Sequence, residues 1–184
     1  MKLHPKISLT GDLGSGKSHL SRLLSEKLGY KIISTGHIQR EIAQKYDMTT
    51  LELNEYTRTH PEIDDEIDGR VTELEKSSES LIFDSRLAWH FAPQSFKVYL
   101  TVDPDEAARR IFKDHRCSEK YQTVEEAKQQ ILARRQSELQ RFKEYYHIDY
   151  ADLHNYDIVV DTSQQAPEEV CETIIRSFEK WKNK

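Results

Sequence analysis

Apolar residues fall along this chain in two alternating patterns, short unbroken runs and longer stretches spaced by three and four. The runs predict strands at Lys6–Thr10, Lys31–Ser34, Leu81–Phe83 (ending at Asp84), Phe96–Val102 and Tyr156–Val160. Between them, leucines at 20, 23, 24 and 28 predict a helix from Ser18 to Leu28, with Gly29 where a helix stops. Further helices are expected over Gly36–Tyr46, Thr50–His60 and Pro61–Lys76, with Pro61 suited to a first turn. Pro104 opens another helix. Thr123 with Glu126 forms a capping box ahead of a long charged helix to about Lys143. Pro167 begins a terminal helix that ends near Trp181. Five strands separated by helices predict an α/β fold, a five-stranded parallel sheet with helices on both faces.

Composition narrows the class. A chain of 184 residues suits one domain over 1–184 with a sizeable core. Hydrophobic residues make up 36% and charged residues 32%, a polar but globular balance. The net charge of −5 offers no basic field for nucleic acid or an anionic membrane, so local cations must hold any anionic ligand. No run of about 18 apolar residues could span a bilayer. Cys117 and Cys171 fit neither a metal spacing nor a disulfide framework, and no apolar leader is visible. A cytoplasmic protein with free thiols is expected. The histidines, among them His37, His90, His115, His147 and His154, show no ligand spacing for zinc.

Candidate chemistry begins directly after the first strand. Half of the six glycines lie within Gly11-Asp12-Leu13-Gly14-Ser15-Gly16-Lys17-Ser18, which matches G-x-x-x-x-G-K-[ST], the P-loop. Without side chains such a loop can curl its N–H groups inward around phosphate oxygens. The next helix adds its free N–H groups and positive dipole end. Gly11, Asp12, Gly14, Ser15, Gly16, Lys17, Ser18 and His19 are therefore expected to hold a nucleotide's phosphates. Lys17 would reach the β- and γ-phosphates and Ser18 would ligate Mg²⁺.

A P-loop does not by itself name a reaction. After the second strand, Ser34, Gly36 and Arg40 could receive a second anion, Arg40 with a fork suited to phosphate. The third strand ends at Asp84, a place for a carboxylate near Mg²⁺, followed by Ser85 and Arg86. Open parallel sheets bind ligands at these strand ends. In the long charged helix, Arg134, Glu138 and Arg141 share one face, with Arg135 nearby; a solvated salt-bridge face is the alternative. Arg109, Arg110, Lys113 and Arg116 could form a mobile lid.

With these residues assembled, the chain resembles the short archaeal and bacterial form of the cytidylate kinases. The resemblance runs nearly end to end. It rests on the P-loop, Ser34-Thr35-Gly36-x-Ile38-x-Arg40, the stretch from Pro61 to Asp68, and Arg86-Leu87-Ala88. The most specific part is Arg141-Phe142-Lys143-x-Tyr145-Tyr146-x-Ile148-Asp149, leading to Tyr156–Ser163. The resemblance implies a small nucleoside-monophosphate-binding region at about 35–76 and a lid and basic helix at about 109–141. It implies ATP with Mg²⁺, and CMP or dCMP as the phosphate acceptor. Arg40 and Arg86 would bind the acceptor phosphate. Arg134, Glu138 and Arg141 would handle acceptor and transferred group, Arg110 would be a lid arginine, and Thr162 and Ser163 would lie beside adenine. The chain departs from the pattern at Lys17, where threonine is usual, and at Ser85, Thr101 and Ala107. It also departs at Trp89-His90-Phe91, which sets bulky rings beside the expected acceptor site. Small-molecule nucleotides are the expected partners of a monomer or homodimer. The alternatives are a kinase of the same fold for another small acceptor, and a nucleotide-binding regulator without catalysis.

Overall fold

The computed structural model describes residues 4–48, 52, 53, 56, 57, 60, 62–113 and 121–183. Among them five strands form one sheet: β1 (Ile7–Gly11), β2 (Lys31–Ser34), β3 (Leu81–Asp84), β4 (Phe96–Thr101) and β5 (Ile158–Asp161). Their order is β2-β3-β1-β4-β5 and every pairing is parallel, as the pattern of apolar runs predicts. The crossovers are α1 (Lys17–Leu28), α2 (Thr35–Lys45), α3 (Glu62–Glu75), α4 (Ala88–Phe91), α5 (Pro104–Lys113) and α6 (Val124–Tyr146); α7 (Pro167–Lys182) follows β5.

The strands read as unbroken apolar runs because helices cover both faces. All five residues of β1 and all four of β3 are buried. On one face, Leu20 and Leu24 of α1 and Val170, Ile174 and Phe178 of α7 pack on Ile7, Leu9, Val98 and Leu100, with Cys171 beneath. On the other, Ile38 and Ile42 of α2 and Ile63, Ile67 and Val71 of α3 pack on Leu81 and Phe83. The buried polar positions of β1 are satisfied locally. Ser95 donates to the Ser8 hydroxyl at 3.0 Å, and the Thr10 hydroxyl donates to Ser85 O at 3.1 Å.

Several element boundaries differ from the sequence expectation for identifiable reasons. β1 continues to Gly11 because Gly11 pairs with Leu100. β5 begins at Ile158 rather than Tyr156 because Leu153–Asn155 forms a 3₁₀ turn whose closing N–H is that of Tyr156. The long helix extends to Tyr146 and stops at His147, which has a left-handed backbone (φ 58°). Its start is capped by Thr123, which accepts from the Glu126 N–H at 3.1 Å, but the Glu126 carboxylate reaches Gln122 N rather than the cap residue. α4 was not legible, being a single turn. The helix expected over Thr50–His60 lies mostly outside the described residues, as do Pro61, His115, Arg116 and Cys117. Among the described residues no helix is long and apolar enough to cross a membrane.

Phe83 is fully buried one residue before Asp84. Phe83→Leu should cost roughly 1–2 kcal/mol and Phe83→Ala about 3–5 kcal/mol, read from denaturant unfolding midpoints. Equal, small losses for both would show that this side of the sheet is not tightly packed.

Candidate active site

The carboxyl ends of β1 and β3 lie side by side, Leu9 opposite Asp84, and the sequence after each strand turns into the site. After β1 the loop must fold tightly. Gly14 (φ 79°) and Gly16 (φ 81°) adopt left-handed backbone conformations. A Cβ on Gly14 would stand 2.8 Å from Ala107 of α5, so only glycine fits there. The helix that follows has no side-chain cap and no acidic residue in its first turn. Its N–H groups and positive end are therefore open to an anion. The Ser15 hydroxyl is buried without a hydrogen-bond partner, an unmet polar group inside the loop. These features fit a phosphate chain.

Asp84 faces this loop from β3. One carboxylate oxygen pairs closely with the Lys17 ammonium, and the other accepts from the Ser18 hydroxyl at 3.3 Å. Lys17 is only 19% exposed. Burial pushes its ammonium below the usual lysine range, and the Asp84 charge works against that fall. Among the described residues no three His, Cys, Asp or Glu side chains cluster as metal ligands. A hydroxyl beside a carboxylate is instead a hard-oxygen pair of the kind that holds Mg²⁺ together with substrate phosphates.

Two members of the expected loop set are differently placed. Asp12 donates its N–H to Leu100 O at 2.9 Å, and its carboxylate accepts from the Tyr99 hydroxyl at 2.9 Å with Arg135 at 3.4 Å. It anchors the loop to β4 and α6 rather than facing phosphates. His19 is exposed on the outer side of α1.

A cavity of about 830 Å³ opens from Lys17 and runs along α6. Arg134, Glu138 and Arg141 all line it, as their shared helical face predicts. Glu138 joins two cations, accepting from Arg86 at 2.9 Å and Arg134 at 3.1 Å. Arg86 also binds Gly11 O at the end of β1. Arg135, one position round the helix, turns to Asp12 instead.

From α2 the lining residues are Thr35 and Gln39, which share a face. Arg40 lies about 100° further round and is exposed. Gly36 takes an ordinary backbone conformation in the first turn. The Ser34 hydroxyl caps α2 by accepting from His37 N at 3.1 Å, which spends it on structure. Trp89, expected beside the acceptor, points into an aromatic cluster with Tyr99 and Tyr156, while Phe91 packs on Tyr146.

Of the expected lid group, Arg109, Arg110 and Lys113 lie among the described residues. They sit on α5, whose Ala107 and Ala108 pack with Ala127 and Ile131 of α6. Arg110 donates to Thr162 O at 2.6 Å, Ser163 O at 3.3 Å and Gly14 O at 3.4 Å. It ties the phosphate loop to the loop after β5, where Thr162 is further held on Thr101 O at 3.0 Å.

Sequence reasoning put the far end of the cavity in stretches that carry the family resemblance but gave its residues no individual role. There Asp64, Ile67 and Asp68 of α3 face Phe142 and Tyr146 of α6. The Tyr146 hydroxyl donates to Asp68 at 2.6 Å. Asp64 and Asp68 fall four residues apart on one helical face, a spacing visible in the sequence but without meaning until α6 is seen opposite.

Comparison with known proteins fits this geometry. A family model described as an AAA domain matches residues 7–133. The cytidylate kinase of Methanobrevibacter smithii is 35% identical over 172 residues, 94% of this chain and 97% of that protein. The cytidylate kinase of Methanothermobacter thermautotrophicus is 38% identical over 158 residues, 86% of this chain and 95% of that protein. An S-adenosylmethionine-dependent nucleotide dehydratase of Lacinutrix mariniflava is 36% identical over 176 residues; this chain covers 95% of itself in that match but spans only 36% of the relative's length. Among solved structures, shikimate kinase from Bacteroides thetaiotaomicron matches with a TM-score of 0.63 at 16% identity, over 98% of this chain and 99% of that one. That likeness shows the fold.

Burial pushes the Asp68 carboxyl from 3.8 up to about 6, with Asp64 and Asp65 adding to the rise and the Tyr146 hydrogen bond opposing it. The folded protein thus holds a proton that the unfolded chain releases. Stability from this group is complete below about pH 4 and is lost as pH rises through about 6. Asp68→Asn should therefore be more stable than the parent at pH 8, by roughly 1–2 kcal/mol after allowance for its partly solvated position, with the gap closing toward pH 4. Thermal unfolding of both proteins from pH 4 to 8 measures this, and a gap independent of pH would refute burial of Asp68 as its source.

Proposed function

The chain belongs to the cytidylate kinase family of P-loop nucleoside monophosphate kinases, and from that premise we propose that it moves the γ-phosphoryl group of ATP to CMP or dCMP. The observation that carries the reading is the cavity running from Lys17 along Arg134, Glu138 and Arg141. Its cations, next to the glycine loop, suit a second anion.

In this reading the glycine loop and the N-terminus of α1 hold the ATP phosphates. Lys17 leaves Asp84 for the β- and γ-phosphates. Ser18, with Asp84 behind it, would hold Mg²⁺, which would supply charge neutralisation to the phosphates. Arg86, Arg134 and Arg141 hold the acceptor phosphate and align one of its oxygens with the γ-phosphorus. That oxygen forms the new bond to phosphorus as the β–γ bridge breaks, and ADP leaves. The attacking phosphate oxygen carries no proton at neutral pH, so no general base is required. Catalysis rests on alignment and on the positive field around the transferring group. Arg110, Thr162 and Ser163 would shape the place for adenine.

A second reading comes from the nucleotide dehydratase relative. There the acceptor would be a nucleoside monophosphate that has already lost water.

An ADP-release assay with ATP and Mg²⁺ against CMP, dCMP, UMP, AMP, GMP, dTMP and no acceptor tests the proposal. CMP or dCMP should stimulate turnover well above the others. Lys17→Met should lower kcat by about 10²–10³ with the fold intact by circular dichroism. Turnover with no monophosphate in the panel would move the search to dehydrated nucleotides or other acceptors. Tight ATP binding with no acceptor at all would favour a regulator.

A further inference from the structure

The cavity is chemically polarised. Its P-loop end carries Lys17, Arg86 and Arg134, while its far end carries Asp68 hydrogen-bonded to Tyr146, with Asp64 beside them. Eight residues of α6 separate Glu138 from Tyr146, about 12 Å along the helix axis. An acceptor whose phosphate meets the arginines must therefore send its other end toward Asp68.

The hydrogen-bonding capacity of the Asp68–Tyr146 pair is one-sided. Tyr146 spends its only proton on Asp68, at 2.6 Å from one carboxylate oxygen. With Asp68 ionised, as above about pH 6, its second oxygen and the remaining lone pairs of both groups can only accept. Arg141 is the neighbouring cation, reaching Asp68 and Asp64 electrostatically from α6 while its guanidinium lies 5.1 Å from the Phe142 ring. Asp65 on α3 and Glu144 and Tyr145 on α6 are the further titratable groups described around this end. Ile67 and Phe142 supply apolar walls for a flat ring.

We propose that Asp68, held by Tyr146, reads the acceptor base and selects one bearing an exocyclic amine over its oxo counterpart. This rests on the monophosphate-kinase reading and deepens it. Cytosine presents the N4 amine as a donor, whereas uracil presents the O4 carbonyl at the same place. A carboxylate pairs with the first and repels the second. Sites built to pair a polar group reject analogues that leave it unpaired far more strongly than apolar pockets reject a methylene. The Phe91 side of Tyr146 opens to a separate groove bounded by Asp65, Gly69 and Thr72, so Asp68 forms a wall between two cavities rather than lying at a blind end.

Asp68→Asn tests the assignment. An asparagine can still accept from Tyr146 through its carbonyl oxygen while offering its amide N–H to uracil O4. The expected result is a fall of the CMP-to-UMP ratio in kcat/KM by 10²-fold or more, with a gain for UMP as well as a loss for CMP. Tyr146→Phe, which frees an Asp68 lone pair without supplying a donor, should keep CMP ahead of UMP. Calorimetric binding of CMP and UMP to both proteins, without ATP, separates the two layers of the argument. If the parent turns over neither nucleotide but binds CMP above UMP and Asp68→Asn abolishes the preference, the kinase reading fails and the base reading stands. If the parent does not discriminate, or Asp68→Asn keeps an unchanged CMP preference while remaining folded by thermal melt, the assignment of Asp68 is overturned whatever the turnover.

Discussion

The arrangement of the whole site depends on one electrostatic constraint: cations must be kept in a partly buried cleft before any phosphate arrives. Desolvating an unpaired guanidinium or ammonium costs several kcal/mol, so each needs a local counterion. Lys17 rests on Asp84, Arg86 and Arg134 share Glu138, Arg110 takes Glu106, and Arg135 takes Asp12. On the proposed reading these carboxylates would stand in for phosphate oxygens, and nucleotide binding would be an exchange of partners around pre-placed cations.

The same pairs carry the mechanical connections of the fold. Glu138 ties α6 to Arg86, and Arg86 reaches back to Gly11 at the end of β1. Asp12 ties the glycine loop to Tyr99 in β4 and to Arg135 in α6. Arg110 ties that loop to Thr162 beyond β5. The loop is thereby fastened on three sides while its inward N–H groups stay open. α6 touches the phosphate loop through one face and forms the cavity wall with the other. A shift of this helix would move the loop anchor and the acceptor-side arginines together.

The fold was legible in the sequence because its signals are local. Unbroken apolar runs mark strands buried on both faces, and the glycine pattern demands a backbone that few other residues can adopt. The face formed by Arg134, Glu138 and Arg141 was equally readable, since helical periodicity alone puts those residues together. What stayed hidden depends on distant pairs. Asp68 and Tyr146 are separated in sequence by two strands of the sheet, β3 and β4, and neither residue type signals a site alone. Arg40 looked well placed after a strand end, but a one-residue rotation on α2 gives the cavity to Gln39. Asp12 matches the P-loop pattern by position, yet its side chain and N–H are both committed to Tyr99, Arg135 and Leu100. Trp89 looked like a change at the acceptor and is instead part of the core beneath it.

A division of labour follows from where these groups sit. On the proposed reading, affinity for phosphate would come from the end of the cavity nearest the sheet, where Lys17, Arg86 and Arg134 are already paired with carboxylates. Discrimination between acceptors would come from the other end, where α3 and α6 meet without a strand between them. There a carboxyl poised near neutrality can change its proton count with modest changes in surroundings. Such a separation would let one scaffold keep the transfer step while the acceptor varies. That is consistent with the same sequence core appearing both in cytidylate kinases and within a longer nucleotide-processing protein.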